Sequence, residues 1–117
     1  MKILVVDDEP IANFITCRLF KQIDPALEIV DYTDSQQAVF HLNEIDPDLV
    51  FLDLNMPYMD GWAFLDRMIA NKLEYKVYIL TSSVSTFDQN KAKRYANVVD
   101  CLEKPLKKER LRECIES

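Results

Sequence analysis

Four places in this sequence put reactive side chains directly after apolar runs. Asp7-Asp8 follows Ile3-Leu4-Val5-Val6, Asp53 follows Leu49-Val50-Phe51-Leu52, Thr81-Ser82 follows the run ending Ile79-Leu80, and Lys104-Pro105 closes the run that begins at Val98. Brought together, Asp7, Asp8 and Asp53 would crowd three carboxylates. Two such charges ~5 Å apart repel by roughly 3 kcal/mol at an effective dielectric of 20, so their pKa values should rise and a divalent cation would relieve the strain. The ligands are hard oxygens with no His or Cys among them, which selects Mg²⁺, or Mn²⁺ as a substitute, keeping several waters. Lys104 opposite the carboxylates then calls for an anion, and Thr81 offers a donor of the kind phosphoryl oxygens accept. A carboxylate nucleophile, a metal, a lysine and a hydroxyl make a phosphoryl-transfer site. Asp53 stands singly after the most buried run and is the expected nucleophile, whereas Asp7 and Asp8 are paired as metal holders would be. Taken one at a time, an acid after a strand is ordinarily a loop residue or a helix cap. The joint placement at four strand ends carries the functional reading.

The elements that must position these groups can be read from periodicity. Strands are expected at Ile3–Val6, Leu27–Val30, Leu49–Leu52, Val77–Leu80 and Val98–Leu102. These runs are nearly continuous rather than alternating, the pattern of strands covered on both faces of a parallel sheet. The second is the shortest and most polar and is assigned to an edge. Five helices separate them. The first should begin at Pro10, bury Ile11, Ile15, Leu19 and Ile23, and end before Pro25. The second should follow an Asp34 cap, bury Ala38, Leu42 and Ile45, and stop at Pro47. The third starts near Gly61 and presents Phe64, Leu65, Met68 and Ile69. The fourth, after a Ser85–Asp88 capping box, offers only Phe87, Ala92 and the Tyr95/Ala96 pair, so it should be the most weakly anchored. The fifth runs from about Lys107 with Leu111, Cys114 and Ile115.

Alternating strands and helices specify a doubly wound α/β fold of the flavodoxin-like kind: five parallel strands with five flanking helices. Periodicity leaves the strand order open, with 2-1-3-4-5 favoured. In such sheets the ligand site lies outside the carboxyl ends of the strands, where the reactive groups fall.

Composition removes other classes. With 117 residues the whole chain, 1–117, is expected to form one domain. The net charge of -6 gives no footprint for a phosphate backbone, so nucleic acid is not an expected partner. The single glycine, Gly61, leaves no room for a GxGxxG turn or a P-loop. No apolar run approaches the ~20 residues of a membrane span, and Asp7-Asp8 comes too early for a signal peptide, so a cytoplasmic location is expected. Cys17, Cys101 and Cys114 are odd in number and lack CxxC spacing, which points to reduced, packed thiols.

Asp7-Asp8, the segment Leu52-Asp53-Leu54-Asn55-Met56-Pro57 with Asp60-Gly61 following, Thr81-Ser82 and Lys104-Pro105 resemble the bacterial response-regulator receiver domain of two-component signalling. The resemblance covers essentially the whole chain. It implies that Asp53 is phosphorylated from a partner's phosphohistidine, carried by a histidine kinase or a histidine phosphotransfer protein. It further implies that Asp8 binds Mg²⁺ directly, Asp7 mainly through water, and that the backbone carbonyl of Asn55 completes the protein ligands. Thr81 would be the switch hydroxyl and Lys104 the charged partner of the phosphoryl group, preceding a cis Pro105. The output surface, facing a downstream protein, would be the fourth helix, fifth strand and fifth helix. Such a domain acts on itself, accepting and losing the phosphoryl group, rather than on external substrates.

One departure matters. Cys101 stands three residues before Lys104, where many receivers carry an aromatic switch residue, so coupling of Thr81 to the output face must be weaker or use other groups such as Tyr95. Asn55 and Ser83 occupy positions that tune phosphoryl lifetime in receivers, and neither is a strong general acid or base. His41 is expected to be a solvated helical side chain, Trp62 a partly packed ring, and Lys107-Lys108-Glu109-Arg110 a solvated face. Two other readings are an interaction module that works without phosphorylation and a small aspartyl-phosphate hydrolase. The hydrolase usually carries a second Asp two residues after the first, where Asn55 stands here. With no effector segment after Ser117, a single-domain regulator or relay intermediate is expected over a transcription factor.

Overall fold

The computed structural model describes residues 1–117. Its strands are β1 (Lys2–Val6), β2 (Glu28–Tyr32), β3 (Leu49–Asp53), β4 (Lys76–Thr81) and β5 (Val98–Glu103), and its helices α1 (Pro10–Ile23), α2 (Ser35–Ile45), α3 (Gly61–Ala70), α4 (Thr86–Ala92) and α5 (Lys108–Glu116). All strand pairs are parallel, in the order β2-β1-β3-β4-β5. The favoured order is therefore the observed one, and β2 is at an edge as its polarity required. Its paired residues begin one position later and end two positions later than the apolar run, from Glu28 to Tyr32, with Leu27 buried just ahead of the strand.

The continuous apolar runs divide their residues between two cores. Alternate side chains point to opposite faces of a strand. Leu4, Val6, Val50, Leu52, Val77 and Ile79 pack with residues of α2, α3 and α4, while Ile3, Val5, Leu49, Phe51, Tyr78 and Leu80 pack with α1 and α5. Each fully buried Leu, Ile, Val or Phe contributes about 1.5–3 kcal/mol, so a polar substitution in β1 or β3 damages one layer or the other whichever face it occupies.

Local signals set the helix starts. Pro10 opens α1 at the first helical position. The Asp34 carboxylate accepts from the Gln36 and Gln37 N–H groups, Asp60 from Ala63 N–H, and Ser85 Oγ from Asp88 N–H. The last bond is one half of the expected capping box; the return bond from Ser85 N–H to the Asp88 carboxylate is not formed.

Three burial expectations are corrected. In α1 the inward face is Asn13, Thr16 and Phe20, with Leu19 and Ile23 half-buried, while Ile11 and Ile15 are exposed. On that face Asn13 Nδ2 donates to the Tyr32 carbonyl (3.1 Å) and Thr16 Oγ1 to the Ala12 carbonyl (3.0 Å), while Asn13 Oδ1 is buried without a partner. In α3, Phe64, Leu65 and Met68 are buried but Ile69 lies outside the stripe and is exposed. In α4 only Ala92 is buried; Phe87 and Ala96 face solvent, and Tyr95 lies beyond the helix. The expectation that α4 is weakly anchored thus holds more strongly than its residues implied. No helix is long and apolar enough to cross a membrane.

Candidate functional site

The strand ends converge as the topology requires. Asp7 extends β1 by one more bond, its N–H donating to the Tyr32 carbonyl (3.1 Å), and its side chain is fully buried. One Asp7 oxygen accepts from Glu9 N–H (3.0 Å) and the other from Lys104 Nζ (2.8 Å), so a single carboxylate both closes the turn into α1 and faces the lysine. Asp53 ends β3 and is 5% exposed. Its Oδ1 accepts from Lys104 Nζ at 3.3 Å, and Oδ2 has no hydrogen-bond partner. Asp8, half-buried, completes a triad whose carboxylate oxygens lie within 4.8 Å of one another.

Lys104 is held from behind. Its N–H donates to the Thr81 carbonyl (2.7 Å) and the Lys104–Pro105 bond is cis, in line with the expectation from the resemblance. Burial pulls the ammonium pKa down, but the hydrogen bond to Asp7 and the charges of Asp53 and Asp7 outweigh it, and the net shift is upward. The Asp53 carboxyl is pushed up to about 6. Burial is the largest cause, ahead of the Asp7 charge, while Lys104 pulls the other way. The rise was expected from repulsion between carboxylates; desolvation turns out to be the larger contribution.

Thr81 reaches the same rim but its hydroxyl is engaged elsewhere. Buried to 2% exposure, it accepts from Ser83 N–H (3.2 Å) and donates to the Ser83 carbonyl (3.1 Å). No hydrogen bond joins it to Asp7, Asp53 or Lys104, so in this conformation the expected phosphoryl donor belongs to the β4–α4 loop. Asn55 lies exposed in the β3–α3 loop, and its carbonyl accepts no hydrogen bond. The three carboxylates, all oxygen, fit a hard divalent cation better than a soft one.

The sequence reading missed part of the support. Gly61, at the first turn of α3, donates its N–H to the Leu54 carbonyl (2.9 Å). A Cβ there would stand 2.9 Å from the Asp53 carbonyl and 3.0 Å from Leu54 Cα, so this glycine allows α3 to approach the backbone of the strand that carries Asp53. Trp62, the next residue, stacks on Tyr95 with ring centroids 5.7 Å apart, and Lys91 Nζ lies 4.8 Å from the indole centroid. Tyr95 Oη donates to Asp66 (2.8 Å), and with burial as the larger cause its pKa is raised to about 12. Pairs at such separations carry no local sequence signal. His41 sits on α2, beside Tyr32 and Phe40 and 3.5 Å from Glu44, and is no part of the rim.

Comparison with known proteins agrees with this geometry. The family model described as response regulator receiver domain matches residues 3–116. The chain belongs to the response regulator receiver domain family. An uncharacterized response regulatory protein of Vibrio cholerae is 33% identical over 97% of this chain and 42% of its own length. The transcriptional regulatory protein FlgR of Helicobacter pylori is 36% identical over 98% of this chain and 29% of its own length. This receiver spans half or less of the first curated relatives it matches. Among solved structures, a two component response regulator from Cytophaga hutchinsonii superposes with a TM-score of 0.87 at 28% identity, covering 98% of this chain and 93% of that one. Receivers serve two-component signalling as phosphoryl acceptors, and that family role extends to this chain.

Proposed function

We propose that residues 1–117 act as one phosphoacceptor unit in which Asp53 takes a phosphoryl group from the phosphohistidine of a histidine kinase or histidine phosphotransfer protein. An Asp53 carboxylate oxygen attacks phosphorus, the P–N bond breaks with its electron pair returning to the imidazole nitrogen, and an acyl phosphate forms. The observation that carries this reading is Lys104 Nζ lying 2.8 Å from Asp7 and 3.3 Å from Asp53, with Asp53 Oδ2 left without a partner. Asp8 and the Asn55 carbonyl would hold Mg²⁺ directly and Asp7 through water, with Asp53 itself a further ligand; Mn²⁺ is the expected substitute. When bound, the metal neutralises charge on the phosphoryl oxygens. Lys104 pairs with the new charge at Asp53, and Thr81 leaves Ser83 to donate to a phosphoryl oxygen.

Phosphorylation adds negative charge and acceptor oxygens at Asp53. One charge-assisted bond from Lys104, about 1.5–3 kcal/mol, and one neutral bond from Thr81, about 1 kcal/mol, bias the β4–α4 loop by a few kcal/mol. Full conversion from 1:99 to 99:1 takes about 5.5 kcal/mol, so activation is partial. The output face is α4, β5 and α5, read by a downstream protein. The chain's own chemistry is confined to gaining and losing its phosphoryl group, in the cytoplasm.

The test is incubation with acetyl phosphate and Mg²⁺ followed by intact-mass measurement. The wild type should gain one phosphoryl mass and Asp53→Ala none. If neither changes, and beryllofluoride also leaves the wild-type spectrum untouched, the reading is rejected.

A further inference from the structure

The β3–α3 loop, residues 54–60, carries the Asn55 carbonyl, yet it has few polar ties to the rest of the molecule. Its two ends are fixed by Leu54 N–H to the Leu80 carbonyl (2.9 Å) and Gly61 N–H to the Leu54 carbonyl (2.9 Å). Between them, Met59 N–H donates to the Pro57 carbonyl (2.7 Å), a purely local turn around Tyr58, whose φ is 66° and whose side chain is 99% exposed. From residues 55–59 only one hydrogen bond reaches another element: Ser35 Oγ donates to the Met59 carbonyl at 2.7 Å. Ser35 is 4% exposed, so water does not compete for that bond.

Ser35 is well placed to serve as an anchor. It is the first residue of α2, and the cap is supplied by its neighbour Asp34, so the Ser35 hydroxyl is not consumed by the helix start. Met56 and Met59, both nearly buried, seat the loop against the apolar layer but carry no directionality. A cavity of about 460 Å³ lies between the loop and the start of α2, lined among others by Asp8, Ser35, Met56 and Pro57. The serine and the expected metal ligand Asp8 therefore border the same cavity.

We propose that Ser35 is a positioning residue for the divalent-cation site, its hydroxyl holding the Met59 carbonyl and so fixing the loop that carries Asn55 and borders the same cavity as Asp8. The proposal rests on the phosphoacceptor reading above. Holding a loop from a rigid helix start reduces the ordering left to be done when the cation binds. The role concerns metal affinity rather than the phosphoryl step, because Ser35 touches no reacting atom.

The test is titration of the full chain with Mg²⁺ alone, followed by amide chemical shifts of Asp8, Asp53 and Asn55. Loss of one buried hydrogen bond should weaken Mg²⁺ binding about five-fold in Ser35→Ala. Amide exchange should quicken across residues 55–59 but not in β3, and the phosphorylation rate at saturating Mg²⁺ should stay within about two-fold of wild type. Ser35→Thr, which keeps the hydroxyl, should restore the affinity. If Ser35→Ala fails to fold, Ser35→Gly, which also removes the hydroxyl, carries the same expectation. Unchanged affinity on removing the hydroxyl, or a loss that threonine does not restore, overturns the proposal. A wild type that binds no Mg²⁺, with Asp8→Asn behaving identically, would instead overturn the phosphoacceptor reading.

Discussion

Helices α3 and α4 follow neighbouring strands and flank the same rim, but they are fastened very differently. The ten residues of α3 bury Gly61, Phe64, Leu65 and Met68, and its first turn is bonded back to the end of β3. The seven residues of α4 bury Ala92 alone, with Phe87 71% exposed. The Asp53 side of the rim therefore stands on a firmly packed base, and the Thr81 side on a compliant one. A bias of a few kcal/mol cannot unseat α3, but it is enough to move an element whose local stability is low. In the proposed function, phosphorylation chemistry is built where the fold is stiff and its readout where the fold yields.

The largest test of this contrast is a pair of truncations. Phe64→Ala should cost about 3–5 kcal/mol in urea unfolding, whereas Phe87→Ala should stay within about 0.5 kcal/mol. Equal losses would erase the distinction. Next, Gly61→Ala should destabilise by about 2–3 kcal/mol, because the added methyl meets backbone rather than a movable side chain. It should also reduce phosphorylation by acetyl phosphate, since the strain falls on the Asp53 carbonyl; an alanine variant as stable and active as wild type would show that α3 can retreat.

A pH dependence sharpens the Asp53 side. The folded Asp53 pKa of about 6 lies above the usual unfolded value near 3.9, so between those limits the folded state binds more protons than the unfolded one. Its stabilising contribution is full below pH ~4 and is lost as pH rises through ~6, on the order of 2 kcal/mol in metal-free buffer. Asp53→Asn should remove that slope, measured as the difference between the two proteins' urea midpoints at pH 4.5 and pH 7. A parallel pair of curves would contradict it. Smallest of all, Tyr95→Ala should leave global stability within about 1 kcal/mol but accelerate amide exchange in α4, by removing the stack on Trp62 and the bond to Asp66. No change in α4 exchange would mean that other contacts restrain it.

Much of this was legible in the sequence for identifiable reasons. Strands covered on both faces need nearly continuous apolar runs, so β1, β3 and β4 announced a parallel sheet, and the reactive residues at their ends announced the rim. Asp34 and Ser85 marked helix starts through chemistry that acts within three residues. What stayed hidden depends on partners distant in the chain. Ile11 and Ile15 read as a core face, but Asn13 and Thr16 occupy it because their polar groups find carbonyl acceptors at Tyr32 and Ala12. The Thr81 position was readable, whereas the direction of its hydroxyl toward Ser83 was not. Cys101, half-buried on β5 beside Ile79, fills a position where an aromatic was missed, and the ring pair Trp62–Tyr95 lies instead between α3 and the end of α4.

The lysine shared between Asp7 and Asp53 has a consequence for order of events. One ammonium serves two anions, and it sits nearer Asp7 than Asp53, the proposed phosphoacceptor. Any new charge at Asp53 draws that ammonium away, and Asp7, fully enclosed, is left needing another counter-ion. In the proposed function, cation loading and phosphoryl loading would then be thermodynamically linked: each should tighten the other, and a receiver stripped of divalent ions should resist modification even by a highly reactive donor.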